Sequence, residues 1–172
     1  VDPLDGTANF AAGRDRFAMI ICLVQDATAV AGWILDVPND RLAVAERGAG
    51  VRFDGDLVRG KPAAPPLNGF VGYKIAKSFD EQLSPEQRGR LGTITTLRCA
   101  GAEYLEILAG RANFGLYRTT KPWDHAAGTL MMREAGGGAV QFGAAPYMPA
   151  QPLNAGLITA STEEALSEAK AL

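Results

Sequence analysis

Cysteine is scarce in this sequence, and the two that occur, Cys22 and Cys99, share no C-x-x-C spacing. Cys22 lies in an apolar run and Cys99 beside another, so both read as reduced, core-type thiols of a cytoplasmic protein. Histidine is rarer still, with His125 alone. No apolar run approaches the roughly 18 residues a membrane-spanning helix needs, so no membrane partner is expected. There is no long basic run, and the net charge is −2, which makes nucleic acid and acidic membrane surfaces poor partners. Internal repeats and low-complexity tracts are absent as well. What remains is 172 residues, 47% hydrophobic and 21% charged, the composition of a soluble globular chain long enough for one domain with its own core.

The first third of the chain reads as strand after strand. Apolar or alternating runs cover 17–24, 29–36, 41–46 and 51–53, separated by short turns at 25–27, 37–40 and 47–50. Connections this short favour an antiparallel meander, placed here at residues 1–60. Residues 54–68 hold little periodicity and read as an exposed connection. An α/β half follows over 69–172. Strands are expected at 69–76, 93–98, 113–118, 139–142 and 157–160, and helices at 102–109 and 123–135. A further helix opens at Ser84-Pro85, with serine as cap, and a last one after Ser161-Thr162. Residues 143–154, with three prolines, read as a loop. Sheet first and α/β alternation after it predict a layered α/β sandwich.

Two stretches carry chemistry. Val1-Asp2-Pro3-Leu4-Asp5-Gly6-Thr7-Ala8-Asn9-Phe10 places two carboxylates around a proline of fixed φ, with a glycine and a hydroxyl behind them. Such acids suit a hard divalent cation, which takes oxygen ligands, while Gly6 lets the backbone approach a ligand. Thr7 stands where a short helix could begin, and free N–H groups at a helix start attract phosphate oxygens. The bland reading is a capped turn, because Asp, Gly and Thr are ordinary turn and cap residues. The motif begins at the second residue, where chain ends usually fray, so the chain looks cut there. The second stretch, Lys121-Pro122-Trp123-Asp124-His125-Ala126-Ala127-Gly128, sets one acid at the start of a helical run; alone it would be a cap.

Together, D-P-L-D-G-T-A-N-F and P-W-D-H-A-A-G resemble the paired signatures of the inositol monophosphatase family, the Mg²⁺-dependent, lithium-sensitive phosphomonoesterases. Leu97-Arg98-Cys99-Ala100-Gly101-Ala102 and Glu134-Ala135-Gly136-Gly137 extend the similarity over nearly all of the chain. The resemblance is to the later part of a family member: two long N-terminal helices have no counterpart here. It implies two or three Mg²⁺ ions on Asp2, Asp5, Asp124 and the Leu4 carbonyl, with inhibition by Li⁺. It implies that Asp2, Asp5, Thr7 and Asp124 serve hydrolysis, Gly6 and Thr7 offering N–H groups to phosphate and the Thr7 hydroxyl orienting the attacking water. Three converging acids would repel unless cations neutralised them. His125 follows Asp124 on the helix and points elsewhere, so it is read as structural rather than acid–base. Family members are commonly homodimers, and a sheet without covering helices would expose an apolar face.

Two departures qualify this. The family's first metal site also uses a glutamate upstream of the first motif, outside this chain, so weak or absent hydrolysis is expected from the chain as it stands. Inositol-specific members carry a glutamate where this sequence has Tyr117, followed by Arg118, and their Gly-Thr-Ala stretch reads Gly101-Ala102-Glu103 here. A carboxylate accepts from vicinal hydroxyls, whereas Arg118 suits another anion. Glu103 is either the missing acceptor or, slightly favoured, a solvated helix residue. Gly101, Ala102, Glu103 and Arg118 are thus substrate candidates. The substrate is a small phosphorylated polyol, sugar or nucleotide, with inositol phosphate one of several. The reading from another class is a scaffold or binding protein that keeps the phosphatase fold without its activity.

Overall fold

The computed structural model describes every residue except Leu153, and every side chain except those of Leu153 and Lys77. A six-stranded antiparallel meander comes first: β1 (Asp2–Asp5), β2 (Ala18–Gln25), β3 (Thr28–Asp36), β4 (Arg41–Glu46), β5 (Gly50–Phe53) and β6 (Asp56–Val58), adjacent in chain order. The short α1 (Thr7–Ala11) stands between β1 and β2. Asp26 and Ala27, both at positive φ, make a two-residue turn that sets Gln25 opposite Thr28. Strand β6 falls inside the 54–68 stretch read as featureless. Its cue was present: Asp54-Gly55, φ 53 and 90, is the dipeptide a tight hairpin favours.

The second sheet is mixed, in the order β10-β11-β9-β7-β8. Its strands are β7 (Leu67–Val71), β8 (Leu91–Thr95), β9 (Phe114–Tyr117), β10 (Gly138–Val140) and β11 (Leu157–Ala160). β7 runs parallel to β8 and β9, and β11 is antiparallel to β9 and β10. The strand expected over 69–76 ends at Val71, because Tyr73 begins helix α2 (Tyr73–Gln82), whose Ile75 and Phe79 share one face and pack into the core. Helix α3 (Pro85–Gly89) opens on Ser84 with a full capping box, Ser84 and Gln87 each satisfying the other's backbone N–H. The strand expected over 93–98 stops at Thr95, and Arg98 sits in the left-handed region, φ 57. The strand expected over 139–142 ends at Val140, where the chain turns so that Val140 bridges to Pro146. The expected 143–154 loop includes Leu153, which lies outside the described residues.

Helices α4 (Ala100–Leu108) and α5 (Pro122–Glu134) lie between the two sheets, touching β2 and β3 on one side and strands of the second sheet on the other. Helix α6 (Glu163–Lys170) covers the far side of the second sheet with α2. The layers therefore run sheet, helices, sheet, helices. Two apolar cores follow. One is centred on Ile20, Ile34, Tyr104, Ile107 and Met131, the other on Leu67, Phe79, Phe114 and Leu166. Each fully buried aliphatic or aromatic side chain contributes about 1.5–3 kcal/mol over leaving it in water. The inner face of the meander uses small residues where α5 approaches: at Gly32 a Cβ would come within 2.9 Å of the Ala127 Cβ. That close approach draws the first turn of α5 up to the end of β1.

Candidate functional site

The site forms where β1, α1 and α5 meet. Asp2 and Asp5 stand at the two ends of β1, and Asp124 occupies the first turn of α5, behind Pro122. Asp2 Oδ1 accepts the Leu4 N–H (3.0 Å), which folds the D-P-L-D segment on itself. Asp5 Oδ2 accepts the Gly101 N–H (2.7 Å) and the Cys99 thiol (3.2 Å), so α4 locks that carboxylate in place. Gly6 follows at φ +82, where a Cβ would meet the Arg16 carbonyl at 2.8 Å, so only glycine makes this turn without strain. Asn9 is buried, and its amide donates to the carbonyls of Arg16 and Leu97, 2.8 Å each, tying α1 to the loop before α4. No role for Asn9 was read from the sequence; its place inside a ten-residue motif was the available signal.

One carboxylate oxygen from each of Asp2, Asp5 and Asp124 lies within 4.8 Å of the other two, and among the described residues no other set of such side chains converges like this. Burial first, then the charges of Asp5 and Asp2, pushes Asp124 up to about 7, although Lys121 pulls the other way. Burial also raises Asp5, against its hydrogen bonds from Gly101 and Cys99. Half-buried acids that hold one another's protons on are the pattern a divalent cation relieves, so the donor set fits a hard metal ion. The Leu4 carbonyl accepts the Thr7 hydroxyl (2.9 Å) and keeps a second lone pair for a ligand.

Two adjoining clefts share Asp5 and Asp124. The wider, about 470 Å³, is walled by Asp2, Gly6, Thr7, Lys121 and Trp123. The other, about 260 Å³, runs toward Lys74, Arg98, Glu103, Tyr117 and Arg118. Thus Gly6, Thr7, Glu103 and Arg118 all face the space beside the acids. Gly101 and Ala102 are buried instead: the Gly101 N–H is spent on Asp5, and a Cβ there would meet Ala18 at 2.7 Å.

Glu103 is not a solvated helix residue. It is 2% exposed, and its Oε1 accepts the Leu97 N–H (2.7 Å) and the Thr96 hydroxyl (3.1 Å), which shapes the loop carrying Arg98. Burial outweighs these bonds and pushes its carboxyl up to about 7. Helix α4 is covered by both sheets, which takes Glu103 out of solvent. His125 is buried too, as the sequence suggested. Its Nε2–H donates to the Thr119 carbonyl (3.1 Å), leaving Nδ1 to accept from the Tyr104 hydroxyl (3.2 Å), and burial lowers it to about 4. It is a neutral strut. Tyr117 completes this wall with a buried hydroxyl beside Glu103.

Known proteins are similar to this chain in sequence and in fold. Residues 1–171 match the profile of the inositol monophosphatase family. An inositol-1-monophosphatase of Rhizobium meliloti (strain 1021) is 31% identical over 169 residues, 95% of this chain and 62% of that protein. A Nus factor SuhB of Vibrio cholerae is 32% identical over 157 residues, 86% of this chain and 58% of that one. The crystal structure of the extragenic suppressor protein suhB from Bartonella henselae superposes with a TM-score of 0.85 at 28% identity, covering 99% of this chain and 68% of that one. The chain therefore spans less than two thirds of the length of these sequence relatives.

Proposed function

The chain belongs to the inositol monophosphatase family, and from that premise we propose that it hydrolyses a small phosphate monoester, an inositol phosphate or a related sugar or polyol phosphate, with Mg²⁺. The observation that supports this best is the meeting of Asp2, Asp5 and Asp124 from opposite parts of the chain. These three and the Leu4 carbonyl would hold Mg²⁺, which supplies charge neutralisation at the phosphate and lowers the pKa of water to make a nucleophile.

The chain's own groups do the positioning. The Thr7 hydroxyl gives its one proton to Leu4, so toward the cleft it can only accept, which suits it to hold a water by one of the water's protons. The Gly6 and Thr7 amides, at the start of α1, are the donors we assign to phosphate oxygens. Asp5 is fixed by α4, so the phosphate-side carboxylate cannot swing away when the substrate's charge arrives. No covalent intermediate with the chain is required. A further glutamate ligand, outside this chain, is expected to complete the family's full ion set, and Li⁺ is expected to inhibit. The two unpaired thiols support a reducing, cytoplasmic setting.

The test is a calorimetric Mg²⁺ titration of the chain and of Asp124→Asn, with phosphate release measured on a panel of inositol, sugar and nucleoside monophosphates. The expectation is Mg²⁺ binding that the substitution weakens at least tenfold; any phosphate release, expected to be weak from the chain as it stands, is to fall by up to about three orders of magnitude, the cost typical of losing one essential electrostatic group. Absence of Mg²⁺ binding would sink the reading. It would favour a scaffold role, which the relatives named as Nus factors make the natural second choice.

A further inference from the structure

We propose that the cleft leading away from the acids takes a second anionic group of the substrate, and that Lys74, Arg98 and Arg118 hold it. The substrate class narrows accordingly, from any polyol or sugar monophosphate to one bearing a further phosphate or carboxylate. The second anion is defined relative to a phosphate on the acidic corner, so the inference rests on the phosphatase reading.

Three observations carry it. First, all three cations line the 260 Å³ cleft that opens from Asp5 and Asp124, and none of them forms an ion pair among the described residues. Arg41, Arg88, Arg90 and Arg111, elsewhere on the surface, are each paired with an acid. Second, the cations are held rather than left to wander. Lys74 Nζ donates to the Thr119 hydroxyl (3.0 Å), and the Arg98 guanidinium lies 4.8 Å from the Tyr73 ring centroid. The Arg98 backbone takes the left-handed region, φ 57, with its N–H on the Thr96 hydroxyl (3.2 Å), and that hydroxyl is in turn fixed by buried Glu103. Third, the wall offers donors and little to accept with. Apart from Asp5 and Asp124, its one carboxylate is Glu103, whose Oε1 is already spent on Leu97 and Thr96 and which is buried. Polyol hydroxyls need acceptors as well as donors, whereas phosphate and carboxylate only accept. Like-charged donors gathered on one wall attract an anion and repel one another without it. A cleft of this size admits a sugar-length spacer between the two groups.

The experiment uses phosphonate analogues, whose C–P bond is not hydrolysed: a hexitol 6-phosphonate, the 1,6-bisphosphonate, and a hexonate 6-phosphonate carrying a carboxylate at C1. Each is titrated by calorimetry into the chain with Mg²⁺, and into Lys74→Ala, Arg98→Ala, Arg118→Ala and the triple variant. All three positions are exposed, so the variants keep the fold, which circular dichroism verifies. The bisphosphonate is expected to bind at least tenfold tighter than the monophosphonate, and the triple variant to reduce that ratio at least fivefold while Mg²⁺ affinity stays the same. A carboxylate probe that matches the bisphosphonate makes the second group a carboxylate or a phosphate alike; one that falls back makes it phosphate. Affinities within twofold of one another, or a ratio that survives the triple variant, overturn the subsite. If Mg²⁺ binds while the ratio is flat, only the subsite fails; if Mg²⁺ does not bind, the phosphatase reading fails and takes the subsite with it.

Discussion

At the scale of single residues, burial decides which acids of this chain behave as ordinary carboxylates. Asp124 is pushed up to about 7 by burial and by Asp5, so a cation entering the site must displace a proton below that pH. Apparent Mg²⁺ affinity is therefore expected to rise between about pH 5 and 7 and to level off above, read by titration at several pH values. Glu103 supplies a second, separable effect. Its carboxyl moves from 4.5 to about 7 on folding, so the native state keeps a proton that the unfolded chain has already lost. The stabilisation from holding it neutral is whole below 4.5 and lost as pH rises through 7, up to about 3 kcal/mol at ~1.4 kcal/mol per pH unit of displacement. In Mg²⁺, Glu103→Gln keeps an acceptor for Leu97 and Thr96 and is expected to flatten the decline of unfolding free energy over that window. A slope equal to the native one would show that Glu103 is already ionised in the fold.

At the scale of elements, α5 is the part on which the site depends, because it delivers Asp124 to β1 from far along the chain. Its packing leaves no spare room. At Gly128 a Cβ would fall 2.2 Å from the ring of buried Tyr104, the same phenol that donates to His125. Gly128→Ala is expected to cost about 1–3 kcal/mol through overpacking, seen as a lower urea midpoint with an unchanged slope. Because the displaced helix carries Asp124, Mg²⁺ affinity should fall together with stability. An unchanged midpoint would mean that Tyr104 moves aside freely. Helix α5 was legible from its run of small and apolar residues, its proline at the first position and the Gly136-Gly137-Gly138 stop. Helix α2 was not, because Val71-Gly72-Tyr73 continues the apolar texture of β7 and the helical period becomes visible only over Ile75, Phe79 and Leu83.

At the scale of the whole molecule, the meander has two faces of different fate. One packs on α4 and α5. The other carries Met19, Ile21, Leu23, Trp33 and Leu42, all at least 36% exposed. The register sets Ile21 opposite Trp33 and Met19 opposite Leu35, which in turn faces Leu42, so these residues form one continuous apolar patch. Such a patch on a lone chain predicts self-association. Sedimentation velocity is expected to show concentration-dependent oligomers, and Trp33→Lys, at the centre of the patch, to shift the chain toward monomer. A strictly monomeric native chain at high concentration would contradict this.

The sequence by itself determined the family, most of the meander, the order of the strands and helices after it apart from α2, and the three acids, because each is written locally: alternation, turn dipeptides, caps, and motifs of consecutive residues. Only the tertiary structure decided what the acids' neighbours do. That Gly101 serves Asp5, that Glu103 is buried beneath the Arg98 loop, and that Lys74, Arg98 and Arg118 share one wall are contacts between segments distant in the chain. Burial and electrostatic surroundings are properties of the packed layers, and no run of neighbouring residues encodes them.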